Sequence, residues 1–580
     1  MGKKLFVKFR KPLVASLLSF MALQVILSML QKSPTSDETP HLAAGYSYWK
    51  TLDFRLNPEH PPLIKLLAAI PLFLVNPDLN INSPAWLKGE EWSFGEEFIY
   101  NNRIKATTLI FLGRLPIVIL GILLGIFVYR WSSEIYGQIP GLLSLVLYCF
   151  CPNILAHSGM VTFDLGITFF TLIALYYFRG FIFNANLKTA LLCGIVLGCA
   201  FSTKFTAINI LPIMLILVII SKLHKKDMRI NKMPEGLKWG VLILAVAVVF
   251  TLLTYGIKDA HRYFKGLNFI SGIVSTSGMP TFLFGKYSTT GWWYYFLAAF
   301  SLKTPVHLLL LFISTLFIFI INKNRKIDEY FMVIPILFFF AMSAFSKMQL
   351  GLRYILPVYP FIFILAGSII KEDRNKVKTL LLIPLLLWYV ISSAKTYPHY
   401  LAYFNELAGG SKNGYKCLID SNIDWGQDLP GLKKYIDSNG NPELIFSFFG
   451  SAAPAAYDIV YQDFYSYNAS GRNENHINSP YPSKEFLAMS ANILQMLLIP
   501  DKHVFDWLKN KTPLNVIGHS IFVYDITNDD YTHAMLGVYY YGGNFLNKAE
   551  REFKRAISIN PKNELAAGYL KNMNLNPWVK

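Results

Sequence analysis

The sequence predicts a polytopic α-helical membrane protein with a soluble α/β domain towards its C-terminal end. Three observations predict it. Hydrophobic residues make up 53% of the 580-residue chain, and the mean hydropathy is +0.37, too apolar for a soluble protein. Apolar runs of about 20 residues, the length that spans a bilayer, recur as far as Ser393. From about Pro398 the composition turns to that of a soluble domain.

The formal charge of +18 lies largely in short loops between apolar runs, where Lys and Arg set membrane topology. No basic stripe interleaved with aromatics is available to follow a phosphate backbone, so nucleic acid is not expected as a partner. Cys149, Cys151, Cys193 and Cys199 sit in apolar runs and Cys417 is alone in the soluble tail. That pattern is neither a zinc spacing nor a disulfide framework, and it reads as packing.

Taken in order, Lys3, Lys4, Lys8, Arg10 and Lys11 precede an apolar run from Leu13 to Leu30. No small-residue cleavage site follows, so this is expected as a retained first helix with a cytoplasmic N-terminus. The loop 31–105 is then extracytoplasmic. Within it Pro61-Pro62 opens the segment 63–74, too short to span and suited to the membrane interface. Further spans are expected over 107–129, 139–155, a stretch ending near Arg179, 187–202, 206–220 and 240–255. Four more follow: one ending before Lys323, 331–345, one ending at Lys371, Arg374, Lys376 and Lys378, and 379–393.

His224, Lys225, Lys226, Arg229, Lys232 and Lys238 form a basic loop assigned to the cytoplasm. Gly291-Trp292-Trp293-Tyr294-Tyr295 fits an interfacial aromatic belt on the other side. About eleven transmembrane helices result, with every basic loop on one side. The chain thus divides into a transmembrane domain, 1–396, an extracytoplasmic α/β domain, 397–530, and a helical segment, 531–574. In the α/β part, 417–420, 444–449, 486–490 and 520–524 read as strands, and 429–436 and 502–508 as helices. Leu536, Gly537, Tyr540, Ala549, Phe553, Ala556 and Pro561 match tetratricopeptide spacing. One such repeat cannot bury its own face, so it would dock on the α/β domain or recruit a protein partner.

The first outer loop concentrates the chemistry. Asp37-Glu38-Thr39-Pro40-His41, Asp53-Phe54-Arg55 and Asn57-Pro58-Glu59-His60-Pro61-Pro62, running on to Lys65, gather carboxylates, imidazoles and cations. A carboxylate pair can supply a general base or a metal ligand, and His, Arg and Lys can bind an anion. The topology sets Asp37, Glu38, His41, Asp53, Glu59, His60, Lys65, Asp164, Lys204 and Arg353 on one outer face. Ionisable residues at membrane depth are costly and point to function. Asp164, Lys204 and Arg114 fit that description, with a structural ion pair or interfacial snorkelling as the alternative.

Asp37-Glu38 after the first helix, His60-Pro61-Pro62-Leu63 with Lys65, and Asp164 before a later helix resemble motifs of the C-type (GT-C) glycosyltransferases. The likeness is to the protein O-mannosyltransferase-like group, which uses phospholipid-linked sugar donors. Leu302-Lys303-Thr304-Pro305, Gly351-Leu352-Arg353-Tyr354 and Asp420-Ser421-Asn422-Ile423-Asp424-Trp425-Gly426-Gln427-Asp428 resemble patterns of its bacterial branch. The tetratricopeptide-like tail departs from the typical mannosyltransferase.

The resemblance implies a GT-C-type membrane fold in an inner (plasma) membrane of bacterial type. It also implies transfer of a sugar, with inversion, from a polyprenyl-phosphate donor to a hydroxyl of a protein, lipid or glycan. Asp37, Glu38 and Asp164 would be catalytic, with Asp37 as base. Lys204, Arg353 and Lys65 would hold the donor phosphate. His41, Asp53, Arg55, Glu59 and His60 would bind substrate. No dedicated metal-ligand cluster stands out, and a divalent cation is a candidate cofactor. The rival classes are a transporter or flippase of lipid-linked sugars, which usually shows repeated halves, and a membrane-anchored scaffold acting through the tail.

Overall fold

A computed structural model describes residues 3–224, 233–276, 279–370, 376–465, 482–498 and 501–575. Two units separate by internal packing, Met1–Trp425 and Gly426–Lys580. Residues 397–425, expected with the soluble part, therefore belong to the helical unit. A buried lysine explains why: Lys303 Nζ donates to the carbonyls of Leu401, Tyr403 and Asn422 at 2.9, 3.0 and 2.5 Å.

Within the first unit, six helices among the described residues are long and apolar enough to cross a membrane. They are Arg10–Met29, Ala106–Tyr136, Phe163–Phe183, Phe205–Leu223, Gly236–Thr254 and Leu352–Ile370. A seventh results if Tyr295–Lys303 and Val306–Ile321, bent by 118°, count as one span. The larger number expected from composition counts shorter pieces as well. Apolar runs at 139–155 and 187–202 form only the helices Gln138–Cys149 and Leu187–Phe201. The first is cut at Pro152, which has no N–H to extend a helix and instead opens a new one, Pro152–His157. Lys225, Lys226, Arg229, Lys232, Lys371 and Arg374, used in the topological expectation, lie outside the described residues.

The segment 31–105, between the first two long apolar helices, is a folded layer. It contains the helices Glu38–Thr51, Leu63–Ala69, Pro84–Lys88 and Glu91–Tyr100, with the 3-10 turn Ile70–Leu74. Leu42, Tyr46, Ala68, Leu72, Trp86, Phe94 and Phe98 form its core with Leu109 and Ile110 of Ala106–Tyr136. Gly45 lets the first two helices touch, since a Cβ there would lie 2.1 Å from the Lys65 carbonyl oxygen. Ile70, Phe73 and Leu74 stay exposed.

The second unit is built on a five-stranded sheet. Glu443–Ser447 pairs in parallel with Gln462–Asp463 and Glu485–Ser490. Ile521–Asp525 then runs antiparallel between Glu485–Ser490 and Asn515–Ile517. Leu429, Leu432 and Ile436 of the helix Leu429–Ser438 pack on Leu444, Phe446, Phe486 and Val523. The strand expected at 417–420 is instead the end of the helix Gly414–Cys417 and the start of the turn Asp420–Asn422. Among the described residues, three helices follow the sheet: Asp530–Gly542, Leu546–Ile559 and Glu564–Leu575. Leu536, Ala549, Phe553 and Ala556 are buried among them.

Candidate active site

Four charged groups from the ends of four elements meet in the first unit. Asp37 is the N-cap of Glu38–Thr51, and Asp164 sits in the first turn of Phe163–Phe183. A helix N-terminus favours a carboxylate at both places. Lys204 follows the end of Leu187–Phe201 and caps the turn Phe205–Asn209. Arg353 lies in the 3-10 turn Leu352–Val358.

Lys204 Nζ donates to Asp164 Oδ1 at 2.8 Å. Arg353 Nη1 lies 3.1 Å from Asp37 Oδ2 and 3.8 Å from Asp164 Oδ2. Side-chain exposure rises from 2% at Asp164 and 7% at Lys204 to 12% at Arg353 and 23% at Asp37. Asp164 is thus the closed end of the cluster and Asp37 the open one. Among the described residues, no donor meets Asp37 Oδ1. Lys204 Nζ also lies over the Tyr354 ring at 4.6 Å, and the Arg353 guanidinium over the Trp425 ring at 4.3 Å.

Glu38, expected beside Asp37 as a catalytic group, turns away into a different set of partners. Arg114 holds its two oxygens, and the backbone N–H groups of Thr35 and Val161 donate to them at 2.8 and 2.9 Å. Burial raises the Glu38 carboxyl, but Arg114 outweighs it and holds the group below the usual carboxylate range. Arg114 reaches on to the carbonyls of Met29, Lys32 and Ser33. His41 Nδ1 completes the frame at the carbonyl of Val161, 2.8 Å away. The strand of chain before Asp164 is therefore gripped from both sides. Burial pushes the His41 imidazole down to about 4, so His41 is neutral and Nδ1 donates.

Lys65, expected at the donor phosphate, is a clamp for the loop before it. Its Nζ is within 3.2 Å of the Tyr48 hydroxyl, the Asn57 carbonyl and amide oxygens, and the His60 carbonyl. Three ammonium protons are thereby engaged in the protein. His60 packs against Phe163 at 4.2 Å, one residue from Asp164, and its Nδ1 is buried without a partner among the described residues. His157 Nδ1 is a second orphan, in the helix that precedes Asp164. Burial together with the negative charges of Glu91 and Asp37 raises Glu59 to about 7. Asp53 and Arg55 pair with one another at 2.6 Å, and Arg262 joins Asp53 to Asp259. None of those ion pairs reaches the four central groups.

Several residues of the site were not singled out by sequence reasoning, although the motifs contained them. Asp420 lies at φ +61 beside Arg353 and Asp37, and burial lifts its carboxyl to about 6. Within the first unit, the motifs Leu302–Pro305 and Gly351–Tyr354 and the stretch Asp420–Trp425 are neighbours. Lys303 binds the Asn422 carbonyl, Asn422 Oδ1 accepts from Leu352 N at 3.0 Å, and Ser421 donates to the Leu350 carbonyl. Gly351 has φ +144 and passes so close that a Cβ would lie 2.6 Å from Ser421 Oγ.

A divalent cation fits these residues poorly. Asp164 already meets two cations and Asp37 one. Among the described residues, the group with metal-ligand spacing is Glu485, His533 and Glu552. There Arg551 takes both carboxylates, which makes it an ion-pair knot between strand and helices.

Residues 106–255 match the family model of dolichyl-phosphate-mannose-protein mannosyltransferase. That stretch is about a quarter of the chain and carries Arg114, Asp164 and Lys204. The match agrees with the resemblance read from the motifs. No curated protein matches the sequence. Among solved structures, the chain is similar to ArnT from Cupriavidus metallidurans bound to undecaprenyl phosphate. Identity is 12%, coverage 88% of this chain and 97% of that one, and the TM-score 0.49. It is similar to the S. cerevisiae protein O-mannosyltransferase Pmt1-Pmt2 complex bound to the sugar donor, at 21% identity over 44% and 34% of the chains and a TM-score of 0.33. A third likeness is to the archaeal oligosaccharyltransferase AglB from Archaeoglobus fulgidus, in complex with an inhibitory peptide and a dolichol-phosphate. Identity is 12%, coverage 93% and 72%, and the TM-score 0.44. Likenesses at these scores assign no donor or acceptor to this chain.

Proposed function

We propose that the protein moves a hexose from a polyprenyl-phosphate-linked donor to a hydroxyl acceptor on the extracytoplasmic side of the membrane, with inversion at the anomeric carbon. The observation that carries this reading is the chain of contacts Asp37–Arg353–Asp164–Lys204, two carboxylates interleaved with two cations. An inverting displacement needs both kinds of group. A base must take the acceptor proton, and cations must meet the charge that grows on the leaving phosphate.

Asp37 suits the base because it is the most open of the four and keeps one oxygen without a donor among the described residues. The acceptor O–H gives its proton to Asp37 as its oxygen bonds to the anomeric carbon. The bond from that carbon to the phosphate oxygen breaks, and its electron pair stays with the lipid phosphate. Arg353 and Lys204 stabilise that phosphate. Asp164 anchors both cations in place, and Glu38 acts through Arg114 to hold the loops that carry Asp37 and Asp164. His41, Glu59 and His60 stand nearest to bind the sugar; His60 is placed for it by the clamp of Lys65. The C-terminal helices would serve as a tetratricopeptide-like docking element for a protein partner, a reading supported by their sequence spacing.

The test is transfer by the purified protein in liposomes, with an undecaprenyl-phosphate-linked hexose and a peptide, lipid or glycan hydroxyl acceptor. Hexose should appear on one acceptor class with the opposite anomeric configuration. Failure with every acceptor class by a protein that remains folded would overturn the proposal.

A further inference from the structure

The guanidinium of Arg353 is packed over aromatic rings as well as held at one nitrogen. Trp425 lies against it at 4.3 Å, with the Tyr354 ring at 5.5 Å. Nη1 is engaged by Asp37 and Asp164, whereas Nε is buried with no hydrogen-bond partner among the described residues. Buried N–H groups in folded proteins are nearly always satisfied, so an orphan at a binding site marks where a ligand oxygen belongs. The edge left over is the fork of Nε and Nη2, the geometry that grips a phosphate through two oxygens.

Trp425 is itself pinned. It is 2% exposed, and its carbonyl accepts from Ser36 N at 2.9 Å and Ser36 Oγ at 3.4 Å. Ser36 is the chain neighbour of Asp37. The segment before Trp425 is fixed to the strand of chain that carries Arg353, through Asn422 to Leu352 and Ser421 to Leu350. One residue thus touches the loop of the base with its backbone and the cation with its ring.

We propose that Trp425 is a positioning residue whose indole face sets the plane of the Arg353 guanidinium, so that the Nε–Nη2 edge presents a fork to the donor phosphate. This rests on the donor reading given above. Lys cannot replace the arrangement, because an ammonium has no plane to orient.

The full-length protein in detergent is titrated with undecaprenyl phosphate as probe, for wild type and for Trp425→Tyr, Trp425→Phe and Trp425→Leu, each also in an Arg353→Lys background. Unfolding temperature is recorded for every variant. With Arg353 present, affinity should fall in the order Trp, Tyr, Phe, Leu, reaching a loss of about tenfold at Leu. In the Arg353→Lys background, where the charge remains but the plane is gone, the same series should change affinity by less than about twofold. Equal losses in both backgrounds, or none in either, would overturn the role of Trp425. If Trp425→Leu does not fold, the Tyr and Phe arms decide on the same criterion. A folded wild type that fails to bind the probe overturns the donor reading itself, a result distinct from additive losses in a protein that binds it.

Discussion

The guanidinium of Arg114 holds both carboxylate oxygens of Glu38, Nε on Oε1 at 2.8 Å and Nη2 on Oε2 at 2.7 Å, with both side chains closed to solvent. A buried pair broken on one side leaves an uncompensated charge and costs on the order of 3–5 kcal/mol. Glu38→Gln should therefore lower the unfolding temperature of the detergent-solubilised protein markedly, while the folded fraction keeps most of its turnover. A thermal scan that superimposes on wild type would remove Glu38 from this structural role. The pair has a pH signature too. The Glu38 carboxyl is held below its ordinary value of 4.5. Its contribution is complete above pH 4.5 and is lost only as pH falls through the lowered folded-state value.

Asp37 carries the opposite expectation. Asp37→Asn preserves shape but removes the basic oxygen. General-base catalysis contributes about a hundred- to ten-thousand-fold, so transfer should fall by at least the lower factor with the unfolding temperature nearly unchanged. Full activity in the purified variant would reassign the base.

Glu59 makes a pH prediction of reversed sign. Burial, with Glu91 and Asp37 nearby, lifts its carboxyl from 4.5 to about 7 in the folded protein. Between those values the folded state binds more protons than the unfolded one, so this group makes the protein less stable as pH rises from 4.5 to 7. Glu59→Gln should flatten the curve of unfolding temperature against pH across that window. Parallel curves for variant and wild type would contradict the assignment.

These assignments show where the sequence was legible. The apolar runs point to membrane helices, and the topology that sets Asp37, His60, Asp164, Lys204 and Arg353 on one face brings several of them within reach of one another. Periodicity could not separate Asp37 from Glu38, because one step along the chain at a helix start turns a side chain by about 100°. Asp37 faces the cluster and Glu38 faces Arg114. The surroundings of Lys65 are hidden for a related reason. Its charge was visible, but the four oxygens that surround it come from Tyr48, Asn57 and His60 in a folded loop. The seams were hidden as well. Helix count by composition treats 139–155 as one span, although Pro152 divides it.

Topology can be tested directly. The expected arrangement puts the N-terminus in the cytoplasm and the C-terminal unit outside, following the bias of Lys and Arg to cytoplasmic loops. A reporter that is active only in the cytoplasm, fused after Lys580, should stay silent, and one active only outside should report. A cytoplasmic signal would place the cluster of Asp37 and Arg353 on the wrong face for the proposed reaction.

The last prediction separates charge from shape at the two cations. Lys204 is a compact point charge bound to Asp164 at 2.8 Å and set over Tyr354 at 4.6 Å. Arg353 bridges towards Asp37 and Asp164 at 3.1 and 3.8 Å, and its planar fork can meet two phosphate oxygens at once. Removing Lys204 leaves Asp164 buried against one distant cation, so Lys204→Ala should lose both donor affinity and some thermal stability. Arg353→Lys keeps the charge and should keep most of the stability. It loses the fork, and should therefore raise the KM for the lipid-linked donor while changing the KM for the acceptor little. Steady-state kinetics with each substrate varied in turn decides it. An Arg353→Lys enzyme with wild-type donor KM would mean that charge alone serves the phosphate. Loss confined to acceptor KM would move Arg353 to the other half of the site.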